Sequence, residues 1–257
     1  VDKRFNIKET DIDQQALSFK IYLKHFLLDS DSWDLLLNIS QQTDVYIFSG
    51  VIRNFLLGLS ENRDLDIVVK DIDKIIIPKK FWRNIRFTKN SFGGYKVKIR
   101  QLVVDVWDIE KTWGIQNMRI KSTPYSLIRT AFFNFSAITY DFNKSQFIYD
   151  EDFLIFYKTL SMDVKYSDNP NIALCILNTI YYAGKYSFYI RYDLCKWIVT
   201  HYNSNLDFMN IQLKHFNKII IPHATITSFV QCCSDFLSIM KKDKNNLVMK
   251  PCVDIKI

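Results

Sequence analysis

The chain has 257 residues, 48% of them hydrophobic and 15% aromatic, enough apolar side chain to bury a core and to exclude an intrinsically disordered polymer. A formal net charge of +7 leaves two readings open: a merely soluble basic surface, or a surface whose Lys and Arg replace counterions around phosphate. No run of 18 apolar residues occurs, so no membrane span is expected, and the polar segment 1–10 does not have the pattern of a secretory signal. The five cysteines (Cys175, Cys195, Cys232, Cys233 and Cys252) match neither a disulfide framework nor a zinc site. Free thiols fit a reducing compartment, so a cytoplasmic, intracellular protein is expected.

In chain order, residues 16–28 and 33–39 carry apolar side chains at helical spacing. Residues 45–48 read as a buried strand, followed at once by Ser49-Gly50 and then by a helical pattern over 51–57 that stops at Gly58. A second strand covers 65–69, and 96–100 and 102–107 alternate as two more. A helix is expected over 126–132, begun by Pro124, and a strand pair over 135–140 and 146–149. Beyond residue 150 the strand signals fade, and a long apolar helix is expected over 172–189. The expectation is an α+β part over 1–150 and a helical part over 151–257, with no repeat or low-complexity linker.

Asp64 and Asp66 stand two residues apart at the start of a strand, so the period of two puts both side chains on one face. Adjacent carboxylates repel unless cations compensate, which makes such a pair a natural clamp for Mg²⁺, a cation that takes hard oxygen ligands. Taken alone, an Asp-x-Asp pair also fits a loop or helix cap. Asp105 lies inside the apolar run 102–107, where an unpaired charge is unfavourable. A sheet with strands about 4.8 Å apart can set it beside the pair. Asp108 takes its place if the strand register is shifted. Ser49-Gly50, a small-residue turn between strand and helix, lets backbone N–H groups approach a phosphate, and Arg53 and Arg63 add positive charge nearby; the plain alternative is a tight turn with two solvated arginines.

Set in order, these segments resemble the head domain of class II CCA-adding enzymes and bacterial poly(A) polymerases, a nucleotidyltransferase family. Its Gly-Gly-x-Val-Arg-Asp-x-Leu-Leu-Gly and following Asp-x-Asp are matched by Ser49-Gly50-Val51-Ile52-Arg53-Asn54-Phe55-Leu56-Leu57-Gly58 and by Asp64-Leu65-Asp66. Phe92-Gly93-Gly94-Tyr95-Lys96-Val97 leads to Asp105 as the family's Phe-Gly-Thr segment leads to its third carboxylate. The segment 133–141 resembles Phe-Thr-Ile-Asn-Ala-Leu-Ala-Tyr-Asp, and 177–183 followed by Phe188 resembles the family's neck. The likeness covers residues 45–190.

The resemblance implies an α+β nucleotidyltransferase-type head, a mixed β-sheet flanked by helices, followed by an all-helical neck. It implies that Asp64, Asp66 and Asp105 hold two Mg²⁺ ions, with Mn²⁺ as a substitute. It further implies that Ser49, Gly50, Arg53 and Arg63 meet a nucleoside triphosphate, and that a nucleoside monophosphate passes to a hydroxyl, foremost an RNA (tRNA-like) 3′ end. A protein or small-molecule acceptor, and a degenerate module that only binds RNA or a partner, stay open as alternatives.

Several positions depart from the family. Ser49 replaces the first glycine and Asn54 the aspartate. Thr130-Ala131-Phe132 stands where the family has Arg-Arg-Asp, and Asn171, Ile172 and Cys175 stand where its neck reads the base. Ile and Cys lack the donors and acceptors that distinguish one base edge from another, so standard C-C-A addition is not expected.

Overall fold

The computed structural model describes residues 11–62, 64–83, 86–89, 94–99, 102–239 and 248–250. The chain divides into two units, one formed by Val1–Ala131 with Ser136–Phe153 and the other by Phe132–Phe135 with Leu154–Ile257.

The first unit is built on a seven-stranded mixed sheet. Its strands are β1 (Val45–Phe48), β2 (Asp64–Val69), β3 (Arg86–Lys89), β4 (Tyr95–Ile99), β5 (Leu102–Asp108), β6 (Ile138–Asp141) and β7 (Gln146–Tyr149). They lie in the order β3-β4-β5-β2-β1-β6-β7. Only β2 and β5 run parallel; the other neighbours are antiparallel. The helices are α1 (Ala16–Tyr22), continued by a wider turn over Leu23–Leu27, α2 (Ser30–Ser40), α3 (Gly50–Leu56), α4 (Trp113–Met118) and α5 (Pro124–Arg129).

Each face of the central strands has its own cover. Asp29 starts α2 by accepting the Ser32 N–H at 2.9 Å, which satisfies one of the helix's orphan donors. Helix α2 then turns Leu35, Leu36 and Ile39 inward, and together with Leu65, Ile67 and Val104 they line a partly open apolar cavity of about 220 Å³. On the opposite face, Tyr46 and Val68 cluster with Ile109, Ile115 of α4 and Leu127 of α5, and Phe48 and Trp107 pack against that cluster. Helices α4 and α5 approach so closely that a Cβ on Gly114 would lie 2.5 Å from the Thr130 Cβ. Only glycine fits there.

In the second unit, helix α6 (Glu151–Thr159), which begins in the first unit, precedes α7 (Ile172–Tyr186), α8 (Tyr192–His201), α9 (Phe208–Phe216) and α10 (His223–Ile239). Three short strands accompany these helices: β8 (Ser161–Met162), β9 (Tyr189–Arg191) and β10 (Val248–Met249). Asn134 knots this unit to itself. Its side-chain amide donates to the Ser161 carbonyl at 3.0 Å, and its carbonyl accepts the Asp163 N–H at 2.8 Å. Among the described residues, no helix is long and apolar enough to cross a membrane.

Candidate active site

The alternation of β2 sends Leu65 and Ile67 into the α2 layer and leaves Asp64 and Asp66 half-buried on the other face. In the parallel ladder Asp66 stands directly opposite Asp105, and Asp64 opposite Val103. Directly paired residues share a face, so Asp64, Asp66 and Asp105 share one. Asp108, three residues beyond Asp105, belongs to the opposite face. It is 6% exposed, and its carboxylate accepts the N–H groups of Ile72 and Glu110, both at 2.9 Å. The register therefore excludes Asp108 as the third carboxylate of this face.

One cross-strand row runs through the site. Lys96 of β4 is opposite Asp105, Asp105 opposite Asp66, and Asp66 opposite Phe48 at the end of β1. The Lys96 ammonium lies 3.5 Å from Asp105 Oδ2, with side-chain exposures of 57% and 22%. Among the described residues, no three His, Cys, Asp or Glu side chains are grouped closely enough to hold a metal ion. The carboxylates are thus aligned by register, while Asp105 is engaged by an ammonium. As a donor set, three aspartates on one sheet face offer the hard oxygen ligands that suit Mg²⁺ or Mn²⁺.

The register of β1 against β2 brings the Ser49-Gly50 turn to the Asp64 end of the pair. Ser49 adopts φ 55° and ψ −97°, a left-handed conformation that L-residues avoid. Its N–H donates to the Ile138 carbonyl at 3.0 Å, and its carbonyl accepts the N–H groups of Ile52 and Arg53, both at 3.1 Å. Gly50 is different: a Cβ placed there would meet nothing within 4 Å. Among the described residues no packing demands glycine at this position, and the space beside its backbone is open.

Arg53 is 4% exposed, and its Nε and Nη2 donate to Asn54 Oδ1 at 3.1 and 2.9 Å. Asn54 Nδ2 in turn donates to the Glu61 carbonyl at 2.7 Å and to Asn62 Oδ1 at 3.2 Å, and Asn62 Nδ2 donates to the Tyr22 hydroxyl at 2.7 Å. This chain of bonds ties α3 to the segment leading into the Asp-x-Asp strand. Arg63 and Phe92-Gly93 lie outside the described residues.

Of the neck positions, Asn171 is polar and exposed, Ile172 is half-buried and Cys175 is buried. Cys175 is 4% exposed, and burial pushes its thiol up to about 12. Tyr181 stacks on Phe216 with ring centroids 5.6 Å apart, and Tyr182 meets Phe135 edge-on at 4.9 Å. Sequence reasoning did not single out Lys96 as part of the site; only the strand register identifies it.

The same arrangement of strands occurs in solved structures. A tRNA nucleotidyltransferase complexed with a primer tRNA and an incoming ATP analog superposes with a TM-score of 0.57 at 18% identity, covering 82% of this chain and 63% of that one. A CCA-adding enzyme with CTP matches with a TM-score of 0.60 at 15% identity, over 91% of this chain and 58% of that one. The fold is that of the CCA-adding enzymes. An apo form of a CCA-adding enzyme gives 0.57 at 15% identity, over 88% and 56% of the two chains. The chain therefore spans less than two thirds of the length of these structural neighbours. No family model matches the sequence, and no curated protein matches it.

Proposed function

We propose that this chain is a metal-dependent nucleotidyltransferase that moves a nucleoside monophosphate from a nucleoside triphosphate to a hydroxyl, foremost at an RNA 3′ end. One observation carries the reading: Asp66 and Asp105 are direct register partners on adjacent parallel strands, with Asp64 on the same face and the Ser49-Gly50 turn beside them. A pair of aspartates two residues apart is common by itself; here a third aspartate stands in direct register with it.

In the proposed reaction the hydroxyl oxygen bonds to the α-phosphorus, the bond from that phosphorus to the bridging oxygen breaks, and pyrophosphate leaves. Bound divalent cations would neutralise phosphate charge and orient the hydroxyl. Asp64 and Asp66 would hold them from β2, and Asp105 from β5. The open space at Gly50 admits a phosphate close to the backbone; Arg63, next to the Asp-x-Asp pair in sequence, is the further cation expected to meet it. Arg53 contributes from within, by holding α3 through Asn54. The net charge of +7 favours a polyanionic acceptor. The structural neighbours described with a primer tRNA and an ATP analog, and with CTP, support the same substrate classes.

The test is incubation with each labelled triphosphate and total cellular RNA in Mg²⁺ or Mn²⁺, followed by identification of the labelled product. Asp66→Asn keeps the shape and removes a charge, so label transfer falls by at least about a hundredfold while the fold survives. Transfer to protein with none to RNA would move the acceptor to the alternative class. Binding of triphosphate without transfer to any acceptor would favour a non-catalytic module, a reading to which the ion pair on Asp105 lends support.

A further inference from the structure

We infer that Lys96 is a built-in counter-cation of the carboxylate face, which occupies Asp105 in the metal-free protein and competes with divalent cations for it. The inference rests on the proposed reading of that face as a metal site. Asp105 sits between two unlike neighbours in the cross-strand row, the Asp66 carboxylate on one strand and the Lys96 ammonium on the other. Like charges directly opposite each other destabilise a sheet, and an ammonium beside the pair offsets that repulsion. A divalent cation supplies the same compensation with twice the charge and through direct oxygen contacts. The two occupants are therefore alternatives for one carboxylate.

The geometry makes the exchange easy. The contact is 3.5 Å long and the lysine side chain is 57% exposed, so water replaces the lost partner when the ammonium swings out. Asp105, at 22% exposed, is the less solvated member, and its charge needs one cation or the other. With this contact in place, the three carboxylates do not form a closed metal-binding group among the described residues.

The probe is Mn²⁺ alone, titrated into the full chain at low ionic strength without nucleotide and followed calorimetrically. Lys96→Met removes the charge and keeps the stem, so it should bind Mn²⁺ roughly tenfold more tightly than the parent, while Lys96→Arg stays close to the parent. The gain should shrink in high salt and vanish in Lys96→Met combined with Asp105→Asn. The metal-free Lys96→Met protein should melt at a lower temperature than the parent, and Mn²⁺ should restore it. A parent that binds Mn²⁺ with a Lys96→Met variant that binds it equally or less tightly overturns the inference and leaves the metal site standing. Absence of Mn²⁺ binding in both proteins overturns the inference and the metal site together.

Discussion

Replacing Ser49 by glycine should stabilise the protein, although the change deletes a side chain that is only 7% exposed. Ser49 holds φ 55° and ψ −97°, near the rarer and more strained form of γ-turn. A non-glycine residue in such a region carries about 1–3 kcal/mol of backbone strain. Glycine relieves it and gives back about 0.4–1 kcal/mol through the freer unfolded chain. The balance is a gain of roughly 1 kcal/mol, or about 2–4 °C in melting temperature for a domain of this size. The backbone bonds of Ser49 to Ile138, Ile52 and Arg53 need no side chain and should persist. Thermal melts and urea titrations of the parent, Ser49→Gly and Ser49→Ala separate the causes. Ser49→Ala keeps the strain and loses the hydroxyl, so it should be no more stable than the parent. If Ser49→Gly is equally or less stable, the strain argument is wrong, and the hydroxyl or its packing outweighs the backbone.

Other expectations follow from the same structure. Gly114→Ala drives a methyl against the branched Thr130 side chain, which has no flexible end to yield, so it should destabilise by about 1–3 kcal/mol in urea titration; Gly114→Ala combined with Thr130→Ser should recover part of the loss. Burial pushes the Asp163 carboxyl up to about 6 from 3.8, while the Arg191 guanidinium at 2.9 Å pulls the other way without overcoming it. A folded pKa above the unfolded one means that proton binding favours the native state, so this contribution is full below about pH 4 and is lost as pH rises through about 6. The parent should therefore lose roughly 1–3 kcal/mol relative to Asp163→Asn between those limits. A stability difference that does not change with pH would refute the assignment. Because Cys175 is buried and Ile172 offers no polar group, a tRNA lacking its terminal C-C-A should not receive C-C-A in order from CTP and ATP; sequencing a faithful, self-terminating product would show that other side chains read the base.

What the sequence made legible follows the length over which each signal repeats. The Asp64–Asp66 face is written in the alternation of β2, and the strand carrying Asp105 in the apolar run around it. Their direct pairing is not, because parallel neighbours are set by a long connection and not by a local turn. Lys96 was hidden for the same reason: as one lysine in an alternating strand it reads as a solvated side chain until the register sets it against Asp105. The left-handed Ser49 was visible only as a departure from a family glycine. Strand β3 has one apolar residue in four, and β8 to β10 have two or three residues each, too few for a period to show. Helix α4 carries a glycine that helix propensity disfavours and that close packing on Thr130 requires.

The cavity beneath α2 makes volume a variable of this fold. Its space of about 220 Å³ is lined by apolar side chains and opens partly to solvent, and unfolding gives the whole of it to water. The molar volume then falls on unfolding, within the roughly 20–100 mL/mol span common to proteins. Hydrostatic pressure should therefore loosen the layer between α2 and the sheet, on the side away from the carboxylates. The two faces of one sheet would then answer to different variables, one to the ions in solution and the other to compression.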